Sequence, residues 1–154
     1  MSQKTLPISN HNRAANLRQS LLRASRSVNA AIVEDLHQHG FKELRSTHTA
    51  LLSNLDLEGS SLTTIAQRAG MTKQAMGRLA DELISLKYIK KTPGEDDKRA
   101  VKIEFTTAGL ELMNHSFTIM EDLENRCVHL VGENRFKNLL TSLQHIVEEL
   151  ENKQ

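Results

Sequence analysis

Residues 61–91 read SLTTIAQRAGMTKQAMGRLADELISLKYIKK, two short apolar repeats separated by a glycine. In the first, Ile65, Ala66 and Ala69 share one helical side, with Leu62 ahead of them and Thr63 placed to cap. Gly70 breaks the run. Thr72 is placed to cap the second repeat, where Ala75, Met76, Leu79, Leu83 and Leu86 recur at helical spacing. Helix, glycine-containing turn and helix is the spacing of a helix-turn-helix unit. The period then changes. Tyr88 and Ile89 form a short extended piece, Pro93 and Gly94 open the turn TPGEDDKR, and Val101, Ile103 and Phe105 alternate with Lys102 and Glu104. That alternation predicts a half-exposed strand, and a charged hairpin placed directly after such a helix is a wing.

Moving outward, residues 1–10 read as a polar arm. A long helix is predicted over about 12–38, with Leu17, Leu21, Val28, Ile32 and Leu36 on its stripe and Gly40 at its end. Ser46 is placed to cap the next helix, whose apolar positions are Ala50, Leu51, Leu52 and Leu55, and DLEGS at 56–60 is a turn. Downstream, Thr107 begins a long helix carrying Leu110, Met113, Phe117, Met120, Leu123, Cys127 and Leu130. Gly132 interrupts it before a last helix with Phe136, Leu139, Leu140, Leu143, Ile146, Val147 and Leu150. The expectation is one mainly α domain over 1–154 with a small β-hairpin wing: a winged helix-turn-helix module at 46–105, between helical segments at 11–39 and 107–151. The terminal stripes offer more apolar face than the small module can cover, and a symmetric dimer would bury the surplus.

Composition fits this reading. With two Pro and seven Gly in 154 residues, the chain has little material for irregular loops. No apolar run approaches the roughly 20 residues that cross a bilayer, and MSQKTLPISNHNRAANLRQS has no signal-peptide core, so the expected location is cytoplasmic. Cys127 is the only cysteine, which excludes an intramolecular disulfide. The net charge of +1 hides a gradient: residues 68–102 hold nine basic and five acidic residues, whereas 103–154 hold four and nine. A basic middle suits a polyanion.

The major groove of DNA admits one helix and is read by side chains near that helix's N-terminus. Here those are Thr72, Lys73, Gln74 and, a turn later, Arg78. Gln74 can pair with adenine, while Lys73 and Arg78 can reach guanine or phosphate. Gly77 weakens the helix by up to about 1 kcal/mol relative to Ala, a cost that close approach to DNA or to a neighbouring helix would explain. In the wing, Lys98 and Arg99 are the basic pair. Arg99 suits a narrow minor groove, and Asp97 is placed to pair with Arg99 or another arginine and hold the hairpin. Lys90 and Lys91 at the wing's root, and Arg68 at the helix-turn-helix corner, are phosphate candidates, with solubilising charge as the alternative.

These segments together closely resemble the multiple antibiotic resistance regulator (MarR) family of bacterial winged-helix transcription factors. The resemblance rests on 61–91 and on DKRAVKIEFTTAG at 97–109, with its Asp-x-Arg wing signature and the Thr and Gly that open the long helix; AGMTKQAM at 69–76 is typical of one branch. It implies a homodimer held by its terminal helices on a pseudo-palindromic double-stranded DNA operator. It also implies a transcriptional repressor released by a small, often phenolic or other aromatic, effector. Thr72, Lys73, Gln74 and Arg78 match groove-facing positions, Arg99 the minor-groove residue and Asp97 its support. His48 and His115 are candidates to line an effector cleft. Lys87 departs from the pattern, standing where the family usually has Gly. A left-handed backbone there would strain it by about 1 kcal/mol; a differently built turn would not.

Rival uses have weaker support. Cys127 falls on the apolar repeat, which favours packing over redox sensing. Among the seven histidines, His37 and His39 lie near Glu34 and Asp35, but no compact metal-ligand cluster is formed in sequence, and no metal or cofactor is expected. No phosphate loop, HExxH or GxSxG motif is present, which argues against an enzyme. The remaining alternatives are a winged helix kept for protein interaction or dimerisation, and a non-specific architectural DNA binder.

Overall fold

The computed structural model describes residues 16–93 and 101–152. Its contacts divide the chain into two compact units, up to Met113 and from Asn114 onward.

In the first unit, helix α1 (Leu17–Gln38) starts at Asn16, whose side-chain oxygen accepts the Gln19 amide at 3.0 Å. The helix was expected from about residue 12, but residues 1–15 lie outside those described. Ile32, Val33 and Leu36 form its buried stripe. At its end the Gly40 amide donates to the His37 carbonyl and that of Phe41 to Leu36. This closure needs a left-handed residue between helix and loop, and Gly40 supplies it. Helix α2 (Thr49–Leu52) is not capped by Ser46. The residue before it, His48, is already helical, so the extended backbone that a capping serine requires is missing, and the Ser46 carbonyl instead accepts the Thr49 hydroxyl.

The turn at 56–60 yields a short strand, β1 (Ser60–Ser61), which the alternation pattern is too brief to reveal. Because β1 is extended, its last residue caps helix α3 (Leu62–Arg68): the Thr64 amide donates to Ser61 Oγ at 3.1 Å, and Thr63, expected as the cap, lies inside the helix. Helix α4 (Lys73–Ser85) is capped by Thr72 as the sequence suggests, with the Ala75 amide donating to its hydroxyl. Met76, Leu79, Ala80 and Leu83 are its buried side. Strands β2 (Ile89–Pro93) and β3 (Val101–Phe105) are antiparallel, with Ile89 opposite Phe105 and Pro93 opposite Val101. β1 pairs on the other edge of β3, giving the order β1-β3-β2. Ile89, Ile103 and Phe105 turn inward.

Between α4 and β2 the chain repeats the closure seen after α1. The Lys87 amide donates to Ile84 and that of Tyr88 to Leu83, with Lys87 at φ 65°. The turn is therefore the left-handed one, built with lysine. It is held by Thr106, which precedes helix α5 (Thr107–Val131). The Thr106 amide donates to the Tyr88 carbonyl at 3.0 Å, its hydroxyl donates to the Lys87 carbonyl at 2.6 Å, and the same oxygen accepts the Gly109 amide. Gly109 has no space for a side chain, because a Cβ there would lie 1.9 Å from the Tyr88 carbonyl oxygen.

In the second unit, α5 continues to Gly132, and helix α6 (Glu133–Glu151) follows. None of the residues of α6 is buried; Leu139, Val147 and Leu150 are half-exposed or more.

Two substitutions test the junction. Gly109→Ala must push Tyr88 and the whole turn aside and is expected to destabilise by about 3 kcal/mol. Lys87→Gly relieves the left-handed strain and is expected to stabilise by about 1 kcal/mol, offset in part by the freer unfolded chain. Urea unfolding of both variants checks the signs.

Candidate nucleic-acid interface

Helix α4 carries the face that matters. Its apolar side is sealed, Met76, Ala80 and Leu83 being fully buried, and this rotation turns Lys73, Gln74 and Arg78 to the surface. Spacings of three and four residues put Lys73, Gln74 and Gly77 on adjoining turns of that face, with Arg78 beside them and Asp81 one turn further. Thr72 is exposed as well, but its hydroxyl is occupied as the helix cap. The structure thus brings four of the expected groove-facing residues together at one helix start.

The expected phosphate contacts look different at close range. Lys91 donates from Nζ to Asp81 Oδ1 at 2.9 Å, joining the wing's root to α4. Lys90 lies 3.6 Å from Glu104 across the β2–β3 pair, and Lys102 reaches the same carboxylate. Arg68 donates to Asp56 Oδ1 at 2.8 Å and to the Asn54 carbonyl, bracing the loop ahead of β1. Exposed pairs of this kind contribute roughly 0–1 kcal/mol, so a phosphate can take over these cations at small cost. Hydrogen bonds from Arg68 and then Ser60 hold the Asp56 carboxyl below its ordinary value. Asp97, Lys98 and Arg99, the expected wing-tip residues, lie outside the described residues.

His48 is buried, and both its ring nitrogens are engaged. Nδ1 accepts the Arg45 amide at 3.2 Å, so the proton sits on Nε2, which donates to Glu82 Oε2 at 2.9 Å. Arg45 bonds the same carboxylate oxygen. Two donors from the α1–α2 connection therefore grip one residue of α4, and they hold the Glu82 carboxyl below its ordinary value, His48 contributing most. The second candidate for an effector cleft, His115, is exposed on α5. His37 Nε2 meets the Leu44 carbonyl and His39 Nδ1 that of Asp35, so these two rings close the end of α1. Among the described residues no group of three or more His, Cys, Asp or Glu could hold a metal ion.

A sequence profile described as MarR family matches residues 43–100, from the loop ahead of α2 through β2 and the residues beyond it. The chain carries a MarR-family segment. Solved structures extend the likeness to the flanking helices. A MarR transcriptional regulator from Methanosarcina mazei Go1 superimposes with a TM-score of 0.75 at 14% identity, covering 90% of this chain and 98% of that one. The transcriptional repressor CouR, bound to a 23-mer DNA duplex, gives 0.69 at 21% identity over 92% and 99%. BldR from Sulfolobus solfataricus gives 0.70 at 18% identity over 92% and 99%. At these identities the likeness establishes the fold, a mainly helical MarR-type winged helix with a small antiparallel sheet. None of the curated protein sequences compared with the chain matches it.

Within the MarR-type module, sequence reasoning missed the Glu82 grip and the Lys91–Asp81 bond. Partners 34 or 10 residues apart leave no periodic trace. The only available signal was a carboxylate pair, Asp81 and Glu82, in a helix whose exposed face otherwise carries Lys73, Gln74 and Arg78. The Glu82 grip sets an acid response. A carboxylate whose folded pKa is depressed contributes stability that is present above its unfolded value, about 4.5, and is lost as pH falls through the folded one. Glu82→Gln is therefore expected to be less stable than the native chain at pH 6 and to lose less stability between pH 5 and 3. Thermal melts over that range measure it; parallel curves would refute it.

Proposed function

We propose that this chain is a sequence-specific double-stranded DNA-binding transcription regulator, acting as a homodimeric repressor in the cytoplasm. The observation that carries the proposal is the two-sidedness of α4: a sealed apolar side fixes the helix in the module and leaves Lys73, Gln74 and Arg78 on the outer face beside the hairpin. Gln74 has the donor and acceptor for adenine, and Arg78 the fork for guanine or phosphate. Lys98 and Arg99 extend the contact to the minor groove with Asp97 as support, while Lys90, Lys91 and Arg68 neutralise phosphates. The description of CouR as a DNA-bound transcriptional repressor supports the same use of the fold.

Dimerisation is supported by α6, a helix of 19 residues with none buried and with Leu139, Leu140, Val147 and Leu150 each about half-exposed. Leu17, Leu21 and Leu22 of α1 are left open too. A second copy of the chain, related by a two-fold axis, covers such self-complementary stripes. Two recognition helices then enter successive major grooves about 34–36 Å apart, on a pseudo-palindromic site. A small aromatic effector that binds one spacing better than the other would release the DNA by population shift.

The test is selection of a preferred duplex from random DNA, followed by dissociation constants for that duplex and a scrambled one at two salt concentrations. The native chain should prefer the selected duplex by 10³-fold or more (order of magnitude). Arg78→Ala should weaken it by about 10- to 100-fold with the fold intact. Equal, strongly salt-sensitive binding to both duplexes would mark an architectural binder. No binding to either would leave a dimerisation or protein-interaction module.

A further inference from the structure

Six glycines are described, and five have a reason within the chain. Gly40, Gly59, Gly70 and Gly132 have positive φ, and a side chain at Gly109 would collide with Tyr88. Gly77 has neither reason. It is an ordinary helical residue in the middle of α4, and a Cβ there would meet Leu62 Cδ2 at 3.7 Å, a normal van der Waals contact. Alanine would fit and would strengthen the helix by up to about a five-fold gain in its local folding equilibrium. The fold therefore gains nothing from this glycine.

Its position supplies the reason. Gly77 lies one turn from Lys73 and Gln74, half-buried beside Leu62 at the edge of the outer face of α4, so the missing side chain leaves a notch at the margin of the surface proposed to enter the groove. Amides this far inside a helix are bonded to carbonyls four residues back, so the notch offers no donor to a phosphate. Its nearest wall is the half-buried Leu62 side chain. A small apolar group fits such a notch, and the major-groove edge of DNA carries one such group, the 5-methyl of thymine. Building on the DNA-binding reading above, we propose that Gly77 and Leu62 form a seat for a thymine methyl in each half-site. The neighbouring Gln74 is placed for adenine, so one helix start would read an A·T-containing step by hydrogen bonding and by shape.

The test uses the full chain and a duplex selected from random DNA, with each thymine replaced in turn by uracil, which lacks only the methyl. Gly77→Ala should raise the thermal midpoint and weaken binding to the selected duplex by 10-fold or more (order of magnitude). At one thymine per half-site, uracil should weaken the native chain by about four-fold, the value of one buried methyl, and leave Gly77→Ala indifferent. A raised midpoint with unchanged affinity would overturn the proposal, since nothing would then approach Gly77. A lowered midpoint would overturn its premise that the fold has no need of the glycine. Weaker binding of Gly77→Ala with no uracil-sensitive position would refute the thymine seat. Failure of the native chain to select any sequence would instead bring down the DNA-binding reading itself, and the seat with it.

Discussion

The hydroxyl of Thr106 donates to the carbonyl of Lys87 and accepts the amide of Gly109, while the Thr106 amide takes the carbonyl of Tyr88. Three elements meet at this one residue: the end of α4, the last residue pair of the β2–β3 ladder, and the first turn of α5. The contact works only because the residues around it cooperate. Lys87 adopts the left-handed backbone that turns the chain by the right amount, and Gly109 lets the Tyr88 carbonyl come flush against the helix. The carbonyls of Lys87 and Tyr88 both find their donor in Thr106. The direction in which α4 enters the hairpin follows from this closure.

Side-chain hydrogen bonds hold α4 from two further directions. Glu82 receives His48 and Arg45, and Asp81 receives Lys91. With one carboxylate gripped from the α1–α2 connection and its neighbour from the sheet, rotation of α4 about its axis would break bonds on both sides. His48 is the stiffest part, since its ring is buried and its tautomer is set by the Arg45 amide. The apolar side of α4 fixes depth, and these polar contacts fix azimuth. DNA binding as proposed above requires both.

Much of this was legible in the order of the residues. The break at Gly70, the cap at Thr72 and the alternation at Val101–Phe105 fixed the helix-turn-helix and the hairpin, because each is local and is written in a period or a cap. The cap of α3 was misplaced by two residues because Ser61 is made extended by pairing with β3, a partner some 40 residues away in sequence. Ser46 failed as a cap for a related reason: the turn before α2 is already helical. At Lys87 the sequence posed an alternative, strain or a different turn, that only the backbone could resolve. The face formed by Lys73, Gln74 and Arg78 was readable from helical spacing, whereas the carboxylates that occupy Lys90, Lys91 and Arg68 depend on strand register and loop path.

The pairing of those cations changes how the surface behaves as an electrolyte. A free lysine that meets a phosphate expels a condensed counterion from the nucleic acid, and the entropy of that ion's escape drives binding. Lys91, already neutralised by Asp81, can meet a phosphate only by exposing a carboxylate that recruits a cation of its own. The net release of ions is then smaller than the number of basic residues in the footprint suggests. On the DNA-binding reading, affinity for the site would then fall less steeply with rising salt than the count of basic residues implies, leaving sequence readout a larger share of the discrimination.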